Sequence, residues 1–130
     1  MRSATLLIFI FILSACASVD DSKKRITLDA ANRHYERAIR WGEYQTADSF
    51  RRQSTTTPTD MARLKEVRVT SYETVKTKES ADRTEVQIDV VLRYYNESTM
   101  KEVTITDYQS WQYDPVEKSW HITSPMPAFK

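Results

Sequence analysis

Few residues in this 130-residue chain have side chains suited to covalent, acid–base or metal chemistry. The one Cys, Cys16, follows Leu13-Ser14-Ala15 at the end of an apolar run, TLLIFIFIL, over residues 5–13. A lone thiol makes no intrachain disulfide and no Cys-based zinc cluster. The two His residues, His34 and His121, lie far apart and in no ligand spacing, so no metal is expected. Asp107 is the residue with the most chemical interest. Strict alternation puts it on the same strand face as Val103, Ile105 and Trp111. A carboxylate on an apolar face is desolvated, its pKa rises, and it then suits general-base work. His34, beside the apolar face of a helix, is the group that could pair with it. The plainer readings are a β-bulge or a tyrosine hydrogen bond for Asp107 and a boundary position for His34. One Gly excludes a Gly-rich phosphate loop and a dinucleotide fingerprint, and no cofactor is expected. A net charge of +1 gives no field that would draw nucleic acid.

The elements that position these groups follow from periodicity. With 40% hydrophobic and 28% charged residues the composition is that of a folding chain, and the length suits one ordinary domain. In residues 27–41, Leu28, Ala31, Tyr35, Ala38 and Ile39 form one helical face, with Thr27 or Asp29 as N-cap. Gly42 stands where a left-handed C-cap needs it. A second short helix is expected over residues 43–52, presenting Tyr44, Ala47 and Phe50, then a Thr-rich loop over residues 54–59 and at most a short third helix over residues 60–64. From residue 64 the period becomes two. Val67, Val69, Ser71, Glu73 and Val75 mark one face of a first strand; Val86, Ile88, Val90, Leu92 and Tyr94 of a second; Val103, Ile105, Asp107, Gln109 and Trp111 of a third; Trp120 and Ile122 of a fourth. Turns over residues 79–83, 96–99 and 114–118 join them. The fold class is therefore α+β: an N-terminal helix pair packed on a curved four-stranded antiparallel meander. The tail through Pro125, Pro127 and Phe129 is expected to pack back on the sheet rather than stay free as a peptide.

Two resemblances add to this. Arg2, the apolar run and the tetrad Leu13-Ser14-Ala15-Cys16 closely resemble the signal peptide and lipobox of bacterial lipoproteins. The run is short for a membrane span, which takes about 20 residues. The resemblance implies cleavage before Cys16 and acyl chains on it, which would anchor the protein to a membrane. Ala17, rather than Asp, after the Cys implies the outer membrane facing the periplasm. Residues 1–15 would then be a signal peptide, 16–26 the lipidated Cys with a polar tether of about 30 Å reach, and 27–130 the single domain. Lys23, Lys24 and Arg25 in that tether, offset by Asp20 and Asp21, read as solvated linker charges before headgroup contacts. The second resemblance is to the nuclear transport factor 2-like, or cystatin-like, superfamily. It rests on residues 38–47 (AIRWGEYQTA) as the helix–Gly corner, residues 86–95 as the long central strand, and residues 111–122 as a last hairpin with Trp before and after the turn. It implies a cone-like sheet whose members serve as enzymes, small-molecule carriers or non-catalytic parts of envelope machines. The short third helix departs from that pattern.

The sheet is rich in aromatic residues, and Tyr94, Tyr95, Tyr108, Trp111 and Arg93 form the candidate binding surface, since Tyr, Trp and Arg are enriched at interfaces. Cross-strand pairing within the sheet is an equal use for them. The leading expectation is a lipid-anchored accessory or assembly subunit that binds another envelope protein through its sheet. The alternative is a carrier of small apolar ligands, or a minor enzyme, with a helix–sheet pocket around Asp107 and His34.

Overall fold

The structure, a computed structural model, describes the backbone of residues 2–130 and the side chains of residues 18–130. Cys16 and the apolar run before it lie outside the residues whose side chains are described. The elements in chain order are α1 (Arg2–Arg40), α2 (Tyr44–Asp48), α3 (Pro58–Leu64), β1 (Val67–Glu79), β2 (Glu85–Asn96), β3 (Glu102–Asp114) and β4 (Ser119–Ile122). The strands form one antiparallel sheet in the order β1-β2-β3-β4. The α+β meander expected from the periods is the architecture observed.

The face of α1 carrying Leu28, Tyr35, Ala38 and Ile39 is buried against the sheet, and all five inward residues of β2, Val86, Ile88, Val90, Leu92 and Tyr94, are buried beneath the helices. Each such side chain removes enough apolar surface from water to contribute about 1.5–3 kcal/mol. The rings of Tyr35, Phe50 and Trp111 meet edge to face at 5.7–6.0 Å and join α1, α2's exit and β3.

Four local features depart from the sequence reading. Residues 18–26, expected to be an extended tether, continue α1. They are docked as well: Trp120 donates its indole N–H to the Lys24 carbonyl at 3.1 Å, and Asp21 meets Arg83 at 3.4 Å. A helix rises only about 1.5 Å per residue, so the reach is less than half that of an extended tether. The second helix is five residues long, not ten; beyond Asp48 the chain turns on i→i+3 bonds from Phe50 and Arg51. The third helix starts at Pro58 because the Thr-rich run supplies a capping box: Thr57 Oγ1 accepts from the Asp60 N–H, and the Asp60 carboxylate accepts from the Thr57 N–H. Two bulges in β1, between Val69 and Ser71 and between Thr74 and Lys76, change its alternation. After the first, Tyr72 rather than Ser71 pairs with inward-facing Leu92 and turns toward the core; at the second, Val75 is left exposed.

Gly42 ends α1 at φ +72°. Its N–H bonds the Ile39 carbonyl and the Glu43 N–H bonds that of Ala38, the paired closure of a Schellman turn. A Cβ at Gly42 would meet only the Tyr44 ring, at an ordinary 3.7 Å, so the cost of a side chain there is backbone conformation, not space. Gly42→Ala should therefore lower the unfolding free energy by about 1–2 kcal/mol in a denaturant titration; an unchanged midpoint would contradict that reading of the turn.

Candidate functional site

Asp107 faces inward as strict alternation required and is 7% exposed. Its setting is a chain of polar groups. Gln109 donates from Nε2 to Asp107 Oδ2 at 2.8 Å and to the Tyr72 hydroxyl at 2.9 Å, and accepts at Oε1 from the Trp111 indole at 3.1 Å. Burial pushes the Asp107 carboxyl above its ordinary range; the Gln109 hydrogen bond and the charge of Arg51 pull against that shift. Burial likewise pushes the Tyr35 hydroxyl up to about 12, opposed by Arg51, which donates to it at 3.1 Å. The Tyr72 hydroxyl rises further, also through burial.

His34 does not join this group. It lies exposed on α1, so no Asp107–His34 acid–base pair forms. A general base also needs a space in which a substrate proton can reach it. Clefts among the described residues lie elsewhere: one of about 340 Å³ between α3 and the C-terminal tail, one of about 620 Å³ beside the β3–β4 turn, one of about 480 Å³ between the Gly42 turn and α3, and one of about 10 Å³ beside Trp120, and Asp107 lines none of these. What the arrangement around Asp107 does is satisfy buried polar atoms.

Arg51 is the residue that sequence reasoning missed. It is 7% exposed, and its guanidinium donates to the carbonyls of Ser124 (2.7 Å), Pro125 (2.9 Å) and Ala47 (3.1 Å) as well as to Tyr35. It holds the tail against the fold, as the tail's own apolar residues do. Phe129 packs edge-on to Tyr94 at 4.8 Å, and the Lys130 N–H bonds the Tyr94 hydroxyl at 2.9 Å. The only hint in the sequence is the i,i+4 spacing of Arg51 from the apolar Ala47, which does not distinguish a buried cation from a surface one.

The residues expected to form one binding surface divide between the two sides of the sheet. Tyr94 and Trp111 belong to the core, at 0% and 1% exposure, and are removed from the surface. Arg93 and Tyr108 stand on the outer face, Tyr108 at 67% exposure, and half-buried Tyr95 shares that face. The cause is the two-residue period: Tyr94 and its neighbours Arg93 and Tyr95 cannot share a side. The outer face runs through the cross-strand pairs Tyr95–Glu102, Arg93–Thr104, Val91–Thr106 and Asp89–Tyr108, and neither the helices nor the tail covers it.

Asp114, Glu117 and His121 bring their ligand-type atoms within 4.8 Å of one another at the β3–β4 turn. Each already has partners. Asp114 is ion-paired to Arg52 and accepts the N–H groups of Val116 and Glu117, and Glu117 meets His121 at 3.1 Å. The three groups close a hairpin turn.

Among the described residues no helix is long and apolar enough to cross a membrane. Protein-family models, curated proteins and solved structures were each compared with this chain, and none matches it.

The raised pKa of Asp107 sets a pH test. Its neutral form is favoured in the fold, so its contribution to stability is full below the ordinary value of 3.8 and is lost as pH rises through the higher folded value. Asp107→Asn, which keeps an oxygen for Gln109, should melt at the same or a higher temperature than the parent at pH 7, with that advantage gone below pH 3.8. Calorimetry at the two pH values checks this; a lower melting temperature at pH 7 would contradict it.

Proposed function

We propose that this chain is a lipid-anchored protein of the bacterial cell envelope, a non-catalytic accessory or assembly subunit that binds another envelope protein through the outer face of its sheet. The acyl chains would sit on Cys16 of the lipobox tetrad, in the outer membrane facing the periplasm. The observation that carries the binding role is the uncovered outer face of β1–β3, with Tyr108 at 67% exposure beside Arg93 and Tyr95. Interfaces favour Tyr and Arg, which give large contact area and planar hydrogen bonding at modest entropic cost. The enclosed, hydrogen-bonded state of Asp107 and the exposed position of His34 favour a binding role over the enzyme or carrier alternative. Helices ahead of long antiparallel strands, with a tail folded back on them, also support kinship with the nuclear transport factor 2-like superfamily, many of whose members are non-catalytic.

A photoreactive phenylalanine analogue at position 108, in living cells, tests the reading. A discrete adduct of one size is expected from position 108, with a large loss of yield on adding Arg93→Glu. No adduct at 108, or the same pattern from Val116 on the β3–β4 turn, which is 89% exposed and off this face, would contradict it.

A further inference from the structure

The side of α1 that faces away from the sheet carries a pattern that neither the core nor the sheet surface uses. A helix turns about 100° per residue. On that rule Val19, Ser22, Lys23, Ile26, Ala30, Arg33, His34, Arg37, Arg40 and Trp41 fall within an outward arc of about 120°. Three of the exposed large apolar side chains stand in it: Val19 at 54%, Ile26 at 66% and Trp41 at 76% exposure. Between them are four exposed cations, Lys23, Arg33, Arg37 and Arg40.

No acidic residue of α1 falls in the arc. Asp20 and Asp21 lie to the side and pair with Lys24 at 3.3 Å and Arg83 at 3.4 Å, Glu36 pairs with Arg40 at 3.3 Å, and Asp29 stands just beyond the margin. A solvated helix surface in a chain of near-zero net charge would mix both signs. This one places cations between apolar anchors, with an amphipathic indole at its end, which is the composition of a helix lying in a bilayer interface.

We propose that this outward face of α1 rests on an anionic phospholipid surface, with Lys23, Arg33 and Arg37 at the headgroups and Val19, Ile26 and Trp41 entering the boundary with the acyl chains. Charge complementarity selects the occupant: a row of cations, spread over about 26 Å from Lys23 to Arg40, matches a charged plane. The position in the chain agrees. Cys16 precedes Ser18 by two residues, so an acylated Cys16 would bring the turn of α1 at Ser18 to the bilayer. This inference rests in that respect on the lipid-anchored reading above. The face lies on the opposite side of the domain from Tyr108 and Arg93, so membrane and protein partner do not compete for surface.

The test reconstitutes the protein as purified from cell membranes, with the mass of its N-terminus read first, into vesicles of phosphatidylcholine alone and of phosphatidylcholine mixed with phosphatidylglycerol, both with brominated acyl chains that quench indole emission. Trp111 and Trp120 are buried, at 1% and 5% exposure, and Trp41→Phe supplies their background. Quenching of Trp41 several-fold stronger with phosphatidylglycerol is expected, lost in high salt and in Arg33→Glu/Arg37→Glu, whose melting temperature should match the parent because both positions are solvent-facing. Equal quenching in the two vesicles, insensitivity to the double charge reversal, or shielding of Trp41 only by an added acidic protein would each overturn the proposal. Flotation reads the anchor separately. A chain that floats with phosphatidylcholine yet shows no phosphatidylglycerol-dependent quenching keeps the anchor and loses this face; one that needs phosphatidylglycerol to float, with Trp41 quenched, keeps the face and loses the anchor.

Discussion

The buried guanidinium of Arg51 is the contact on which the closure of this domain depends. One planar group joins α2, through the Ala47 carbonyl, to α1, through the Tyr35 hydroxyl, and to the tail, through Ser124 and Pro125. Its charge also lies near enough to Asp107 to offset part of what burial does to that carboxyl. A cation out of water survives only when its donors are met, and here four oxygens meet them. Removing one member of such a buried set costs about 1–3 kcal/mol for each group left without its partner, because that group does not regain water. A domain of this size has only about 5–15 kcal/mol in total. The tail is therefore part of the fold: with Phe129 against Tyr94 and Tyr44, it covers the end of the sheet that the helices leave open.

That closure gives the domain two free faces with different chemistry. The inner side of β2 and β3 is filled by α1, the Phe50 region and the tail, which leaves no described cleft at Asp107. The outer face of the sheet and the outward face of α1 remain open to solvent. The first is a mixed surface of Thr, Arg and Tyr; the second is basic with apolar anchors. The bulges that turn Tyr72 inward also interrupt β1, which is an edge strand, and its exposed Lys76 and Lys78 discourage a further strand from pairing along that edge. The partner proposed above would thereby be directed to the sheet's face rather than to this border.

Most of the sheet was legible from its alternation, because one buried face forces a two-residue period and long strands repeat it often enough to be read. Asp107 could be placed inward on that basis alone. The bulges were not legible, since one extra residue leaves the composition unchanged and flips everything after it, as Tyr72 and Val75 demonstrate. The capping box at Thr57 and Asp60 was hidden in a Thr-rich run that resembles a loop. The burial of Arg51 was hidden because the Ser124 and Pro125 carbonyls that it holds are main-chain groups more than seventy residues away, with no side-chain signature. Of the candidate binding surface, Arg93, Tyr95 and Tyr108 stand on the outer face while Tyr94 and Trp111 serve the core, a division that residue type alone does not show. The helical course of residues 18–26 was missed because its docking on Trp120 and Arg83 is tertiary.

The central claim is that the outer face of the sheet is covered in the cell. Hydroxyl-radical footprinting of intact envelopes against the purified protein reads this at side-chain level. The account predicts that Tyr108 reacts freely in the purified protein, is strongly protected in envelopes, and regains its reactivity when the envelope is dissolved in detergent that separates its proteins, while Val116 stays reactive throughout. Equal oxidation of Tyr108 in envelopes and in the purified protein would contradict it.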